Sequence, residues 1–531
     1  MRLLASSRND TFSVDLTRPQ TIEPLTSAEV RIYMNSYFES VHPVFPFLDR
    51  ADFEEKVHDP HLINALNSDF AFCALFNAVM GLGCQYHGCG SFQPGAGQAW
   101  RLFHISLNSV ARIIPCRDSL SKLQALIAAA IFAMNASSLQ LDNFLLAEAT
   151  RTVLALRYHK SSLTNDNAAA CYRAFWVVYH MEKQYNFQAR NSSAIADIDV
   201  GCPIPPAPES TVNGYDWFAA SVRISRIFSI TYDSCFSVTA STQPAASLLP
   251  AVRHVKKLLE DWRQSIPPAY RPQNTLQRSV LTDLGTKEIA IRTHFYYFHL
   301  VIALERMELH LSSGGRTLNE SMRNLLSAAR TVVELTRFID VEPYTPVFLL
   351  AIMPLSALFI LFDAVVHNPA HPETQQNLTL LDIVSGHFSL LEHVSRGALP
   401  GNYLSRFGNM ARQYVEKLST ESGDSIRGDT LPVIHDIENP HALPRAENAP
   451  RNNTGVGRAN LSSSPGLHSR FDHSTLTGVA EYCASSAGSA SSFRTDVWPG
   501  ALQIENEAGF GALFGSTITW EEDSIDSSGA Q

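Results

Sequence analysis

From residue 26 to about residue 400 the chain repeats one pattern: apolar residues recur at three- and four-residue steps, broken by short polar turns. That spacing gathers side chains on one face of a helix. Thr26-Ser27-Ala28-Glu29 fits a capping box, in which Thr accepts an early backbone N–H and Glu accepts that of the Thr. Val30, Tyr33, Met34, Tyr37 and Val41 then share a face. The helix should stop at His42-Pro43, because the residue before a proline is pushed out of the α region. Val44-Phe45-Pro46-Phe47-Leu48 reads as an extended apolar connector into a short helix around Phe53. Further helical runs are expected at 70–82, 100–114, 120–134, 144–156, 168–185, 217–232, 248–262, 288–310, 322–338, 348–366 and 378–393. Alternating strand patterns are nearly absent. The fold class is all-α, a large multi-helix domain of roughly a dozen helices packed on one another.

The pattern also sets the boundaries. Residues 1–24 are polar, with Pro19 and Pro24, and read as an N-terminal tail; 25–420 are the helical body. Residues 421–494 are rich in Ser, Gly, Asn and Pro and are expected to form a disordered linker, since such a composition buries too little apolar area to offset the entropy of ordering. Residues 495–531 differ again, with seven Asp and Glu, no Lys or Arg, and interleaved apolar residues including Trp498, Phe510, Phe514 and Trp520. Acidic residues that keep aromatic anchors solvated are the pattern of a disordered activation segment, and these four are its candidate anchors. One uncharged apolar run, 347–362, falls just short of the roughly 17–25 residues that span a bilayer. It carries Pro354 near its middle and has no flanking basic cluster, so a buried core helix is expected and no membrane partner.

Composition changes the picture in two places. The 41 Lys and Arg against 51 Asp and Glu give a formal charge of −10, which argues against a chain-wide grip on a polyanion. The eight cysteines are scattered, several inside apolar runs such as Phe72-Cys73-Ala74-Leu75, and suit a reducing compartment. Catalytic patterns are missing: there is no G-x-S-x-G, H-E-x-x-H or phosphate-binding G-x-x-x-x-G-K-[ST]. Gly81-Leu82-Gly83-Cys84-Gln85-Tyr86 lacks the third glycine of a dinucleotide fingerprint and reads as a helix C-terminus and loop. Cys84, His87 and Cys89 have no second pair to complete a metal site. His294 and His299 are expected to line an aromatic helix, and Arg253, Lys256 and Lys257 to form a solvated helix face. No catalytic residue, metal ligand or cofactor is therefore expected, and the chain is not expected to be an enzyme.

Several segments, taken in order, resemble the regulatory middle homology region of fungal transcription factors, also described as the fungal-specific transcription factor domain. They begin with Tyr37-Phe38, His42-Pro43, Phe45-Pro46 and Phe53, and continue through residues 75–83 and 120–132. The most specific is Arg173-Ala174-Phe175-Trp176-Val177-Val178-Tyr179-His180-Met181-Glu182-Lys183, followed by Asp197-Ile198-Asp199 and Pro203-Ile204-Pro205. His42, Pro43, Phe45, Pro46, Arg173, Phe175, Trp176, Asp197 and Asp199 match the family's motif positions, with structural roles implied. Read physically, Phe175, Trp176, Val178 and Tyr179 make an aromatic face bracketed by Arg173 and Glu182-Lys183, and the aspartates and prolines end the helix. The family commonly has Gly-Arg-Pro where this chain has Ala189-Arg190-Asn191. The C-x2-C-x6-C half-pattern of the binuclear zinc cluster is absent, since no two cysteines stand closer than Cys84 and Cys89.

The resemblance implies a nuclear transcriptional regulator of a metabolic or secondary-metabolite gene set. Its DNA binding would be supplied by a partner or by a missing N-terminal zinc cluster, so that this chain meets DNA only indirectly. The implied partners are a coactivator or the transcription machinery, with a zinc-cluster protein or a second copy for dimerisation. The chain shows no clear basic import signal. The alternative is an all-α ligand-binding protein or an enzyme of unknown reaction.

Overall fold

The computed structural model describes residues 25–427, apart from 136–138, 162–166, 312–315, 400 and 402. The expected N-terminal tail and the four aromatic anchors of the acidic segment lie outside the described residues.

Helix α1 (Ser27–Ser36) starts on the capping box: the Thr26 hydroxyl accepts from the Glu29 N–H at 3.2 Å and the Glu29 carboxylate accepts from the Thr26 N–H at 2.8 Å. It ends through a π-helical turn at Tyr37–Val41, ahead of His42-Pro43. The connector leads to α2 (Arg50–His58), followed by α3 (Leu62–Ser68) and α4 (Phe70–Cys84). Helices α5 (Gly97–Ile113), α6 (Leu120–Asn135), α7 (Leu139–Ala155) and α8 (Ala168–Ala189) complete the first half. A two-residue hairpin follows, β1 (Thr211–Val212) against β2 (Tyr215–Asp216), antiparallel with Val212 opposite Tyr215. Its turn, Asn213-Gly214, has φ of 47° and 79°, the pair of positive values that a tight hairpin needs and that Asn-Gly supplies.

The second half comprises α9 (Trp217–Thr231), the short α10 (Val238–Ser241), α11 (Ala245–Ser265), α12 (Leu284–Leu311), α13 (Arg316–Leu335), α14 (Met353–His367), α15 (Thr374–Val394) and α16 (Phe407–Arg427). Every helical run expected from periodicity is present, so the all-α expectation holds. α3, α10, α16 and the hairpin were not anticipated, and α16 continues past the expected boundary at residue 420.

Two helices organise the core. α4 packs against α1, α5 and α6, and Phe103 and Phe132 from the latter two stack at 4.0 Å. Gly83 lies in the last turn of α4, where a Cβ would stand 1.8 Å from the Tyr33 carbonyl oxygen, so the two backbones touch because the residue is glycine. The helix end comes one residue later, in a π turn closed by Gly88 at φ 88°. The 28-residue α12 is buried on most of its circumference and packs against α11 and α13.

The apolar run at 347–362 forms a π turn, Phe348–Ile352, and the first turns of α14. Pro354 follows the π turn within one continuous helical stretch, so it cannot donate to the Leu350 carbonyl, and His387 Nε2 lies 2.7 Å from that oxygen. The stretch Phe348–His367 passes the length and hydropathy test for a membrane span, and two-thirds of it (67%) is buried by α13, α15 and α16.

Candidate functional site

The segments that the sequence singles out are distant along the chain, and the structure joins most of them. His42 stays in the α region (φ −59°, ψ −38°) despite the following proline, and the chain leaves the helix through a turn in which the Val44 and Phe45 N–H groups donate to the Val41 carbonyl at 3.0 Å. Beyond it the connector is non-helical, and several of its carbonyls lack helical partners. Side chains from elsewhere supply them. The Ser210 hydroxyl donates to the Pro43 carbonyl at 2.6 Å, the Trp217 indole N–H to that of Val44 at 3.0 Å, and the Gln124 amide to that of Phe47 at 3.1 Å. Phe45, Pro46, Phe47 and Leu48 are buried, and the Arg292 guanidinium lies over the Phe45 ring at 5.2 Å.

At the head of the connector, His42 Nε2 stands 3.5 Å from Glu209 Oε1, and Arg173 Nη1 donates to the same oxygen at 2.9 Å. Burial alone would raise the Glu209 carboxyl, but the His42 hydrogen bond and the Arg173 charge outweigh it and hold the group below its ordinary value. His42, Pro43 and Arg173 therefore meet around the segment at 209–210. Glu209 escaped the sequence reading, because one carboxylate in a proline-rich stretch carries no periodic signal.

A second junction forms on α8. Phe175, Trp176, Val178 and Tyr179 are fully buried, and the Trp176 indole donates to the Pro203 carbonyl at 2.9 Å. The Tyr179 hydroxyl and the Ser229 hydroxyl both donate to Asp197. Lys183, with 2% of its side chain exposed, donates to Ile195 O at 2.6 Å, Ser229 Oγ at 2.9 Å and Asp197 Oδ2 at 3.2 Å. Glu182, equally buried, accepts from the Ala194 N–H at 2.7 Å and the Ser193 hydroxyl at 2.8 Å. These two charges do not bracket the aromatic face from solvent, as expected; they are buried and tie α8 to the loop after it.

Asp199 does not join the cluster. It is exposed and pairs with Lys160 at 3.0 Å. Nor do the aspartates end α8: Arg190 does, in the left-handed conformation (φ 56°, ψ 31°), with its guanidinium over Phe236 at 3.8 Å and Phe187 at 4.8 Å. Those stacking contacts hold a non-glycine residue at a helix end where glycine is usual.

Between the two junctions lies His180, ringed by Trp217 at 5.8 Å and Tyr296 at 5.4 Å. Burial, with help from Arg292, pushes it down to about 3. His299 goes down to about 3 and His294 to about 4, both mainly by burial. His180 Nδ1 is 2.8 Å from Ser225 Oγ, which has the spacing of an activated nucleophile. The Ser225 hydroxyl, however, donates to Ser221 O at 2.7 Å, so the imidazole N–H is the donor and no base takes the serine proton. Both residues are also buried away from any substrate. Among the described residues, no three His, Cys, Asp or Glu side chains are grouped to hold a metal. Of the expected solvated basic face, Arg253 and Lys257 are exposed, whereas Lys256 is committed to Glu305 at 2.7 Å and to Glu308.

Comparison with known proteins matches residues 34–264 to the fungal specific transcription factor domain. Over 445 residues the chain is 23% identical to an ABC-transporter-regulating transcription factor of Aspergillus fumigatus, covering 77% of this chain and 49% of that protein. The protein of the same description from Aspergillus oryzae is likewise 23% identical, with the same two shares. A fumonisin cluster-specific transcription factor of Gibberella moniliformis is 25% identical over 224 residues, 38% of this chain and 33% of its own length. The chain thus spans about half the length of the curated relatives it matches most extensively.

Proposed function

Residues 34–264 being a fungal specific transcription factor domain, we propose that the chain is a fungal transcriptional regulator whose helical body governs the output of a metabolic, transport or secondary-metabolite gene set. The observation that carries this reading is the family match, spread over segments that fold into one core. The names of the relatives, which regulate an ABC transporter or a metabolite cluster, favour these target classes. The proposed site of action is the nucleus.

DNA contact, in this proposal, belongs to a zinc-cluster segment or partner. The chain's formal charge is −10, and within its densest basic group, Arg253, Lys256 and Lys257, Lys256 is paired with Glu305 and Glu308. The described chain alone should therefore show no sequence-specific retention of promoter DNA at physiological salt. The acidic segment at 495–531 is proposed to recruit a coactivator through Trp498, Phe510, Phe514 and Trp520, and dimerisation to involve a second copy or a zinc-cluster protein. The direct test is transcript profiling after gene deletion. A restricted set of transport or cluster genes should change; an unaltered profile under conditions where the protein is made would remove the proposal.

A further inference from the structure

After α9 the chain makes a π turn, Tyr232–Phe236, whose Phe236 ring stands 5.9 Å from Phe187 near the end of α8. Arg190 closes that helix with its guanidinium over both rings. The rings cover the face of the guanidinium, but its N–H groups point outward in the plane and need acceptors. Arg190 Nη1 is buried and has none. Nor does a carboxylate among the described residues act on it. Burial, and then the like charge of Arg306 on α12, bring Arg190 down to about 10. The acidic groups nearby are engaged elsewhere: Asp363, on α14, acts on Arg306 and stands 3.1 Å from His367, and Asp233, in the π turn, acts with Lys183 and Asp197.

A second nitrogen is left over beside it. His299 lies on α12 two turns before Arg306, which places both on one helix face. Its ring stands 5.1 Å from Phe187 and 5.4 Å from Phe348, and its Nδ1 is also buried without a hydrogen-bond partner. Arg190 and His299 thus flank the same Phe187 ring, each with a buried nitrogen that no group of the chain satisfies. Such nitrogens are costly, more so on a charged group. Burial is the largest influence on Arg190, His299 and Arg306, yet each keeps part of its surface open. That combination belongs to groups lining a recess that a small molecule can reach.

We propose that Arg190 and His299 bind the carboxylate of a small organic acid whose apolar body lies against Phe236 and Phe348. The carboxylate accepts from Arg190 Nη1 and from His299 Nδ1, which supplies the missing counter-charge and both missing hydrogen bonds at once. The Arg306 charge favours an anion over a neutral molecule, and the aromatic surround favours an organic anion over an inorganic one. Occupancy of the site does not depend on the regulatory reading.

The test is calorimetric titration of the full chain with benzoate, benzyl alcohol and inorganic phosphate at constant ionic strength. Benzoate should bind, and the alcohol and phosphate should bind roughly tenfold more weakly or not at all. Arg190→Gly removes the guanidinium at a left-handed position where glycine is unstrained, so it should weaken benzoate binding by roughly tenfold or more with the fold retained. His299→Phe keeps the ring packing and removes Nδ1, and should weaken it several-fold; it carries the test alone should Arg190→Gly not fold. Arg253→Gln, an equal change in charge at an exposed residue of α11, should leave the affinity unchanged. Alcohol or phosphate binding as tightly as benzoate, no benzoate binding by the folded wild type, an unchanged affinity in folded Arg190→Gly or His299→Phe, or an equal loss in Arg253→Gln would each overturn the proposal.

Discussion

Asp142 lies on α7 with 7% of its surface exposed, accepting from the Asn143 N–H at 2.7 Å and the Tyr185 hydroxyl at 3.4 Å. Burial outweighs both bonds and pushes its carboxyl up to about 7. A carboxyl raised on folding binds its proton more tightly in the native state, so its contribution is complete at low pH and lost as pH rises from about 4 towards 7. Asp142→Asn should remove that loss and stabilise the protein at pH 8 by on the order of 2–3 kcal/mol, with little effect at pH 4; melting temperatures at the two values check it. The two motif aspartates make a second contrast. Lys183→Met strips a buried ammonium from Asp197 and should cost about 3 kcal/mol in urea unfolding, whereas Lys160→Met, at the exposed Asp199 pair, should stay within about 0.5 kcal/mol. Nothing in Asp197-Ile198-Asp199 distinguishes the two positions locally. Their difference arises from Tyr179, Lys183 and Ser229, which sequence alone does not bring near.

The helices themselves were legible because burial of one face imposes a period, and the period is written in the apolar residues. Elements without that signature escaped. α3 buries none of its residues, so its apolar positions follow no face, and α16 lies where polar residues begin to dominate, with Phe407 packed on Phe359 at 5.4 Å and Phe362 at 5.0 Å. The end of α8 was misplaced because Arg190 takes a conformation usual for glycine, held there by aromatic rings from two other positions. Glycines within helices separate packing from propensity. Gly83→Ala must part α1 from α4 and should cost at least about 2 kcal/mol. Gly386→Ala, on an open face of α15 with no atom within 4 Å of the new Cβ, should instead stabilise by about 0.5–1 kcal/mol. Unfolding of the two variants side by side reads both signs.

Across the whole molecule, charge divides the chain. Seven acidic residues without a Lys or Arg lie in residues 495–531, so −10 − (−7) leaves −3 on the other 494 residues. A nearly neutral helical body with an acidic, aromatic-bearing segment is the arrangement proposed for a regulator that acts through other proteins. The helical body was legible from periodicity, and the match of residues 34–264 to the fungal specific transcription factor domain from the ordered motifs; the Glu209 and Asp197 junctions needed tertiary structure. The most direct measurement joins the full chain to a heterologous DNA-binding module at a reporter promoter. The account predicts output well above the module alone, lost when Trp498, Phe510, Phe514 and Trp520 are together changed to alanine. A fusion that accumulates in the nucleus and leaves the reporter at the level of the module alone would contradict it.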